Sequence, residues 1–258
     1  MNKMRKFLKL FVAFMLFPLF VFLSVYSLEQ QGFFKIKNVE LRVNTMESQK
    51  SYVEPRLNQL RNKLESIKGI SLWKAPLSEI SKTIKDEKWI KTFQLSRVWP
   101  SGILLEIQAD DVAILVFPRG DEPSSIGEAS QIKPITKSGK VLEKINSKYA
   151  PNAIVTHDSD LLISEKVRLG ALNVIAALPE SGNMSAEQVA EIGFDRKEGY
   201  WIKLLNSETK VNFGEEQFEI KSARISQVID YLESRNLKAR VIDANLSKKV
   251  LVRLQQSP

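Results

Sequence analysis

Between Leu10 and Leu28 the chain carries 19 consecutive residues without a charge, and this run constrains the molecule more than any other stretch. As a helix rising about 1.5 Å per residue it extends roughly 28 Å, against a bilayer hydrocarbon core about 30 Å thick. Lys3, Arg5, Lys6 and Lys9 precede it, and the first acidic residue is Glu29. Positive flanks stay in the cytoplasm. The pattern predicts a cytoplasmic N-terminus over residues 1–9, a single transmembrane helix over 10–28, and a body held outside the cytoplasm. A cleaved signal peptide has an apolar region of about 7–15 residues, shorter than this one. Pro18 is acceptable in a membrane helix, and the absence of Cys excludes a lipid anchor.

Composition narrows the chemistry. The 258 residues include no cysteine and one histidine, His157. Disulfides, thiol nucleophiles and thiolate metal sites are thereby excluded, and a zinc site or histidine triad lacks its partners. His157 reads as a strand-end or surface residue, and no metal, cofactor or catalytic residue is expected. The net charge of +8 falls to +4 once the four bases before the apolar run are set aside. The remaining charges are mixed, with no basic stripe interleaved with aromatics, so no nucleic-acid partner is expected. Nor is a small-molecule substrate. Ser71-Leu72-Trp73-Lys74 and Lys137-Ser138-Gly139 imitate two motifs of penicillin-binding enzymes. Serine–lysine chemistry needs its Ser at a helix start, whereas Ser71 follows Gly69 in an interhelix loop, so the chain is read as non-enzymatic.

The body is long enough for two small domains. The first, over residues 33–110, reads as strand, helix, helix, strand, strand. Phe34 and Ile36 share one parity while Val39, Leu41 and Val43 share the other, so the opening strand must bend or bulge near Lys37-Asn38. Val53, Leu57, Leu60, Leu64 and Ile67 predict one helix, with Ser51 and Glu54 resembling a capping box at its start. Leu77, Ile80 and Ile84 predict a second. Phe93 and Leu95, then Ile103, Leu105 and Ile107, alternate as two strands around the turn Pro100-Ser101-Gly102.

These residues carry a family resemblance. Phe34-x-Ile36-x-x-Val39-x-Leu41, Trp89-Ile90, Arg97-Val98-Trp99-Pro100 and Leu105-x-Ile107 resemble, in that order, the POTRA domain of the FtsQ/DivIB cell-division proteins. Glu106, Asp110 and Val112-Ala113 stand at comparable places, although the usual Glu-Arg dipeptide before the Val-Ala pair is absent. The resemblance implies an α+β fold: an N-terminal transmembrane helix, a β-α-α-β-β POTRA domain, and a strand-rich β-domain with a long helix near its end. It also implies a bacterial inner-membrane protein whose N-terminus is cytoplasmic and whose body is periplasmic.

The second domain is expected over residues 111–258, with a loop or insertion at 118–131. Val112–Phe117 is apolar on both parities and reads as a fully covered strand. Further strands are expected at Ile135–Val141 (a hairpin turning at Ser138-Gly139), Ile192–Asp195, Tyr200–Leu205, Lys210–Phe213, Ala239–Asp243 and Lys249–Leu254. Helices are expected over Ser164–Leu178 and Glu215–Ser234, with a short capped one at Ser185–Gln188. Val211-x-Phe213-Gly214, the second of these helices and Val241-Ile242-Asp243 again resemble the family's β-domain.

The candidate partner-binding residues are Leu246, Ser247, Lys248, Lys249, Val250, Leu251, Val252, Arg253 and Leu254. A closing strand there is expected at a sheet edge, where unpaired backbone groups can accept a partner strand. The resemblance implies partners of the FtsB/DivIC and FtsL type and a role in assembling the division septum. The competing reading is a POTRA-bearing accessory of export or outer-membrane biogenesis.

Overall fold

The computed structural model describes residues 2–117, 131–205, 207–246 and 249–255, with the side chains of 2–13 and Gln131 outside that description. The insertion expected at 118–131 therefore lies, except for the Gln131 backbone, outside the described residues. The chain divides into two compact units: Met1–Asn44 with Glu54–Ala109, and Thr45–Val53 with Asp110–Pro258.

The first unit opens on helix α1 (Asn2–Gln30), which contains Pro18. It closes on Gly32 at φ +74°. Phe33 N–H donates to Leu28 O at 3.0 Å and Gly32 N–H to Glu29 O at 2.9 Å, the two bonds of a Schellman ending. Glycine takes this left-handed conformation without a Cβ clash. Among the described residues, no helix is long and apolar enough to cross a membrane. The span predicted over 10–28 begins among side chains outside the description.

Strand β1 (Asn38–Asn44), helices α2 (Lys50–Glu65) and α3 (Leu77–Lys85), and strands β2 (Ile90–Val98) and β3 (Gly102–Ala109) follow. The sheet order is β1-β3-β2, with β1 parallel and β2 antiparallel to the central β3. This is the β-α-α-β-β order read from the sequence. Leu60, Leu64, Ile80 and Ile84 of the helices are buried, as are Ile103, Leu105 and Ile107 on one face of β3. Burying each such side chain contributes about 1.5–3 kcal/mol.

The parity break before β1 has a specific origin. Ile36 N–H donates to Ile70 O and Leu72 N–H to Phe34 O, at 2.9 and 2.7 Å, so residues 34–36 pair with the α2–α3 loop. From Asn38 onward the chain pairs with β3 instead. The chain exchanges partners rather than bulging within one strand. The capping box expected at Ser51 is not formed, because α2 begins at Lys50 after a 3-10 turn over Glu47–Gln49 and Ser51 lies inside the helix.

The second unit contains β4 (Val112–Val116), β5 (Gln131–Thr136), β6 (Ile145–Asn146), β7 (Ile154–Thr156), α4 (Asp160–Ile163), α5 (Glu165–Ala176), β8 (Val189–Asp195), β9 (Gly199–Leu204), β10 (Lys210–Gly214), α6 (Phe218–Ser234), β11 (Ala239–Asp243) and β12 (Leu251–Leu254). Among the described residues, nine strands form one sheet in the order β12-β11-β10-β9-β8-β7-β4-β5-β6. Strand β4 is buried at all five positions, as its two apolar parities predict. Ala171 and Val174 of α5 and Ile225, Ile229 and Leu232 of α6 join Ile114, Ile192, Ile202, Val211, Phe213 and Ile242 of the strands in one core. Gly139, at φ +84°, turns the chain after β5.

Several boundaries differ from the sequence reading, among them the start of β8, which lies at Val189 rather than Ile192. Helix α6 starts at Phe218, three residues after Glu215. The expected Ser185–Gln188 helix is a 3-10 turn over Ala186–Gln188, with no side-chain cap from Ser185. Strand β12 starts at Leu251, with Lys249 and Val250 leading into it.

Candidate functional site

Strand β12 is the outermost strand of the nine-stranded sheet. It pairs antiparallel with β11 in the register Leu251↔Asp243, Val252↔Ile242, Arg253↔Val241 and Leu254↔Ala239, with an irregularity at Arg240. Beyond the strand, Gln255 N–H donates to Lys238 O at 2.8 Å. In an antiparallel ladder, alternate residues turn their backbone groups to the same neighbour. Counting back from Gln255, Arg253 and Leu251 face β11, while the N–H and C=O of Leu254 and Val252 face away from the sheet. All four residues of β12 are exposed. The edge thus offers two backbone donors and two acceptors, flanked by the apolar side chains of Leu251, Val252 and Leu254.

The approach to this strand is pinned from below. Ala244 is buried, and its N–H donates to Asn212 O at 2.9 Å. Asn245 N–H donates to Asp243 Oδ1 at 2.9 Å, and Asn245 Nδ2 donates to Glu198 O at 3.2 Å. The Asn245 amide lies over Gly214, where an added Cβ would come within 2.1 Å of Asn245 Oδ1 and 3.1 Å of Lys221 Nζ. Lys221 is itself buried and donates to Phe213 O at 2.6 Å. Burial lowers its pKa from the usual lysine value, opposed by the carboxylates of Glu216 and Asp243. Loop, helix and strand ends therefore meet in one polar knot that fixes the direction in which the chain leaves β11.

At the opposite end of β11, an open cavity of about 460 Å³ is lined by Leu204, Thr209, Ile229, Leu232, Lys238 and Ala239 among others. Thr209 Oγ1 donates to Ala239 O at 2.7 Å, so its hydroxyl is already engaged. Among the described residues, no group of three or more His, Cys, Asp or Glu side chains could hold a metal ion.

The enzyme-like motifs have structural roles. Ser71 lies in the α2–α3 loop, in a backbone bridge to Lys35, and not at a helix start. Ser138 donates to the buried Asp110 Oδ2 at 2.5 Å and hydrogen-bonds Thr136 at 3.0 Å, which fastens the turn after β5. His157 is exposed just past β7, its ring 5.8 Å from that of Phe117.

The nine-stranded sheet thus ends in a parallel β10–α6–β11 unit followed by an antiparallel last strand. Residues 127–245 match the family model described as cell division protein FtsQ/DivIB, C-terminal. Over these residues the chain carries an FtsQ/DivIB C-terminal domain. The family that this domain characterises is one of non-catalytic cell-division proteins. Among curated proteins, none matches the chain.

The FtsQ/DivIB match ends at Asn245, so the nine candidate residues lie just past it. The structure brings Leu251, Val252, Arg253 and Leu254 together as β12. Leu246 is exposed at the bend before it and Lys249 is exposed at its approach, while Val250 is half-buried against the core. Ser247 and Lys248 lie outside the described residues. The knot of Lys221, Asn245 and Gly214 was not among the candidates. Its sequence signal is a lysine standing on the apolar stripe of a helix, at the spacing of Ile225, Val228, Ile229 and Leu232.

Proposed function

We propose that this protein is a member of the FtsQ/DivIB family and a non-enzymatic, bitopic inner-membrane assembly factor of the division septum that recruits partners by strand addition to β12. The observation that carries this reading is the open edge itself: the outward backbone groups of Val252 and Leu254 have apolar neighbours and, among the described residues, no further strand beside them. Strand addition gains affinity from main-chain bonds and selectivity from alternate side chains. Lys249 and Arg253, with Lys248 in the sequence, make the edge basic and favour a partner segment carrying acidic residues. The partners would be division proteins of the FtsB/DivIC and FtsL type, as membership of the family suggests.

The anchor belongs to the same proposal. Its support is the uncharged run over 10–28, the four bases before it, and the helical backbone of α1 over Asn2–Gln30. From Phe14 to Tyr26 the apolar side chains, including Phe17, Phe20 and Leu23, are exposed. A continuous apolar surface of this kind marks a protein or membrane interaction site. Residues 33–110 are proposed as the POTRA domain and 111–258 as the β-domain, both on the periplasmic side.

The test is photo-crosslinking in living bacteria from a reactive residue placed at Val252, followed by identification of the captured protein. Capture of a small bitopic division protein supports the reading. Capture from Tyr231 on α6 but not from Val252 moves the binding surface to the helix.

A further inference from the structure

Three loops of the first unit carry aromatic side chains to one place. Phe34 is buried and serves as the hub, with its ring 5.1 Å from Phe33, 6.0 Å from Trp73 and 5.6 Å from Trp99, and Trp73 and Trp99 are 4.5 Å apart. These separations fall in the range of favourable edge-to-face pairs. The three outer rings nonetheless remain open: Phe33 is 44% exposed, Trp73 56% and Trp99 53%. Two indoles held in contact and left half in water form a surface rather than a core. The loops beneath are laced together, since Lys37 N–H donates to Ser101 O at 2.9 Å and Arg97 Nε to Leu72 O at 2.9 Å.

Two observations say what covers this surface. The first is chain distance. Phe33 is the third residue after α1, and its own N–H closes the Schellman ending on Leu28 O. The cluster is thus joined to the apolar helix by a hydrogen-bonded cap and not by a free linker. The second is charge. Residues 31–37, 66–74 and 97–101, which make up the three loops, contain Lys35, Lys37, Lys68, Lys74 and Arg97 and no acid. Lys68 pairs with Glu65 of α2, and Lys35 and Lys74 are exposed and follow Phe34 and Trp73 directly in the chain. Trp and Tyr concentrate at the level of lipid headgroups, where an apolar ring face and a polar edge are both satisfied. Lysines near an anionic leaflet are drawn to its negative surface potential.

We infer that Phe33, Trp73 and Trp99 form an aromatic platform that seats the first unit on the headgroup layer of an anionic bilayer, at the exit of α1. This inference rests on α1 being the membrane anchor. It turns a tethered domain into one with a fixed face toward the membrane.

The test uses the full-length protein reconstituted into vesicles of phosphatidylcholine and phosphatidylglycerol that carry a shallow nitroxide-labelled lipid. Tryptophan emission is measured against the lipid quencher and, separately, against acrylamide in the water phase. Trp89 is buried and Trp201 lies in the second unit, so the difference between wild type and W73F/W99F isolates the platform. The expected result is that this difference signal loses more than half its intensity to the lipid label and little to acrylamide. Because the chain has no cysteine, a spin label attached through K74C gives a second reading in a protein whose tryptophans are intact. It is expected to meet lipid-dissolved oxygen more than a water-soluble nickel complex. A protein that floats with the vesicles, but whose Trp73 and Trp99 signal answers only to acrylamide, overturns the platform and leaves the anchor standing. A protein that does not float overturns both.

Discussion

Lys221 Nζ donates to Phe213 O at 2.6 Å from a position only 5% exposed, tying the first turn of α6 to the end of β10. The contact matters for the binding edge because Asn245, on the path from β11 to β12, is held over the same Gly214. A buried ammonium is costly unless it has partners. Here the carbonyl of Phe213 and the carboxylates of Glu216 and Asp243 oppose the cost of desolvation.

Replacing Lys221 with Met leaves Phe213 O without this donor and should lower unfolding stability by about 1–3 kcal/mol. The pH dependence has a definite sign. Burial places the folded pKa below the ordinary value of 10.5, so in the window between them the unfolded chain binds more protons. Stability from this group therefore rises with pH through that window. Below the folded value both states are protonated, and the cost of burying the charge is fully present. Urea midpoints measured from neutral pH toward 10.5 should shift in favour of wild type relative to K221M. Parallel curves would show that Lys221 does not titrate in the fold.

Gly199 opens β9 at φ +78°, and a Cβ there would lie 2.4 Å from the backbone carbon of Gly214. Neither neighbour is a flexible side chain. Gly199→Ala combines left-handed strain with forced separation of two strands, about 2–4 kcal/mol together. It should lower the urea midpoint sharply, whereas Gly182→Ala meets no atom within 4 Å and pays only for its φ of +95°.

The sequence made the strand–helix order of the first unit legible because Ile103, Leu105 and Ile107 alternate and Leu60, Leu64, Ile80 and Ile84 keep helical spacing. It could not reveal why parity broke at Lys37, since that depends on which segment residues 34–36 pair with. Strands β6 and β7 and helix α4, two to four residues long, are too short for any period to register. Of the candidate site, the strand and its apolar side chains were readable. Its place in the sheet order comes from β10 and β11 pairing in parallel across α6, a long-range choice. Lys221 was readable as an oddity on an apolar stripe, but its acceptor, Phe213 O, was not.

The anchor reading makes a separable prediction. A reporter active only outside the cytoplasm, fused after Pro258, should be active, and the protein should resist alkaline extraction from membranes. Replacing Leu10–Leu28 with an unrelated apolar span of about 20 residues should preserve function. Loss of function despite normal insertion would assign a packing role to the native helix. Release of a fragment starting near Leu28 would instead identify a cleaved signal.

The ladder geometry of β12 predicts opposite outcomes for neighbouring prolines. The Val252 N–H faces away from β11, so V252P removes no bond within the sheet and should leave the protein folded. The same change deletes a donor that an added strand needs and puts a ring in its path. Partner capture should then fall at least tenfold, about 1.4 kcal/mol. Val250 shares this parity, but it packs against the core, so V250P should cost some stability along with binding. The Arg253 N–H faces β11, so R253P breaks the native ladder and should weaken the fold itself. Lys249→Ala removes charge alone and should slow association while leaving dissociation nearly unchanged, since rim charges act chiefly on the on-rate. Circular dichroism and urea melts establish folding, and affinity for a captured partner gives the binding half. A folded V252P protein that binds as wild type rules out strand addition at β12, and the search then moves to the exposed Tyr231 face of α6.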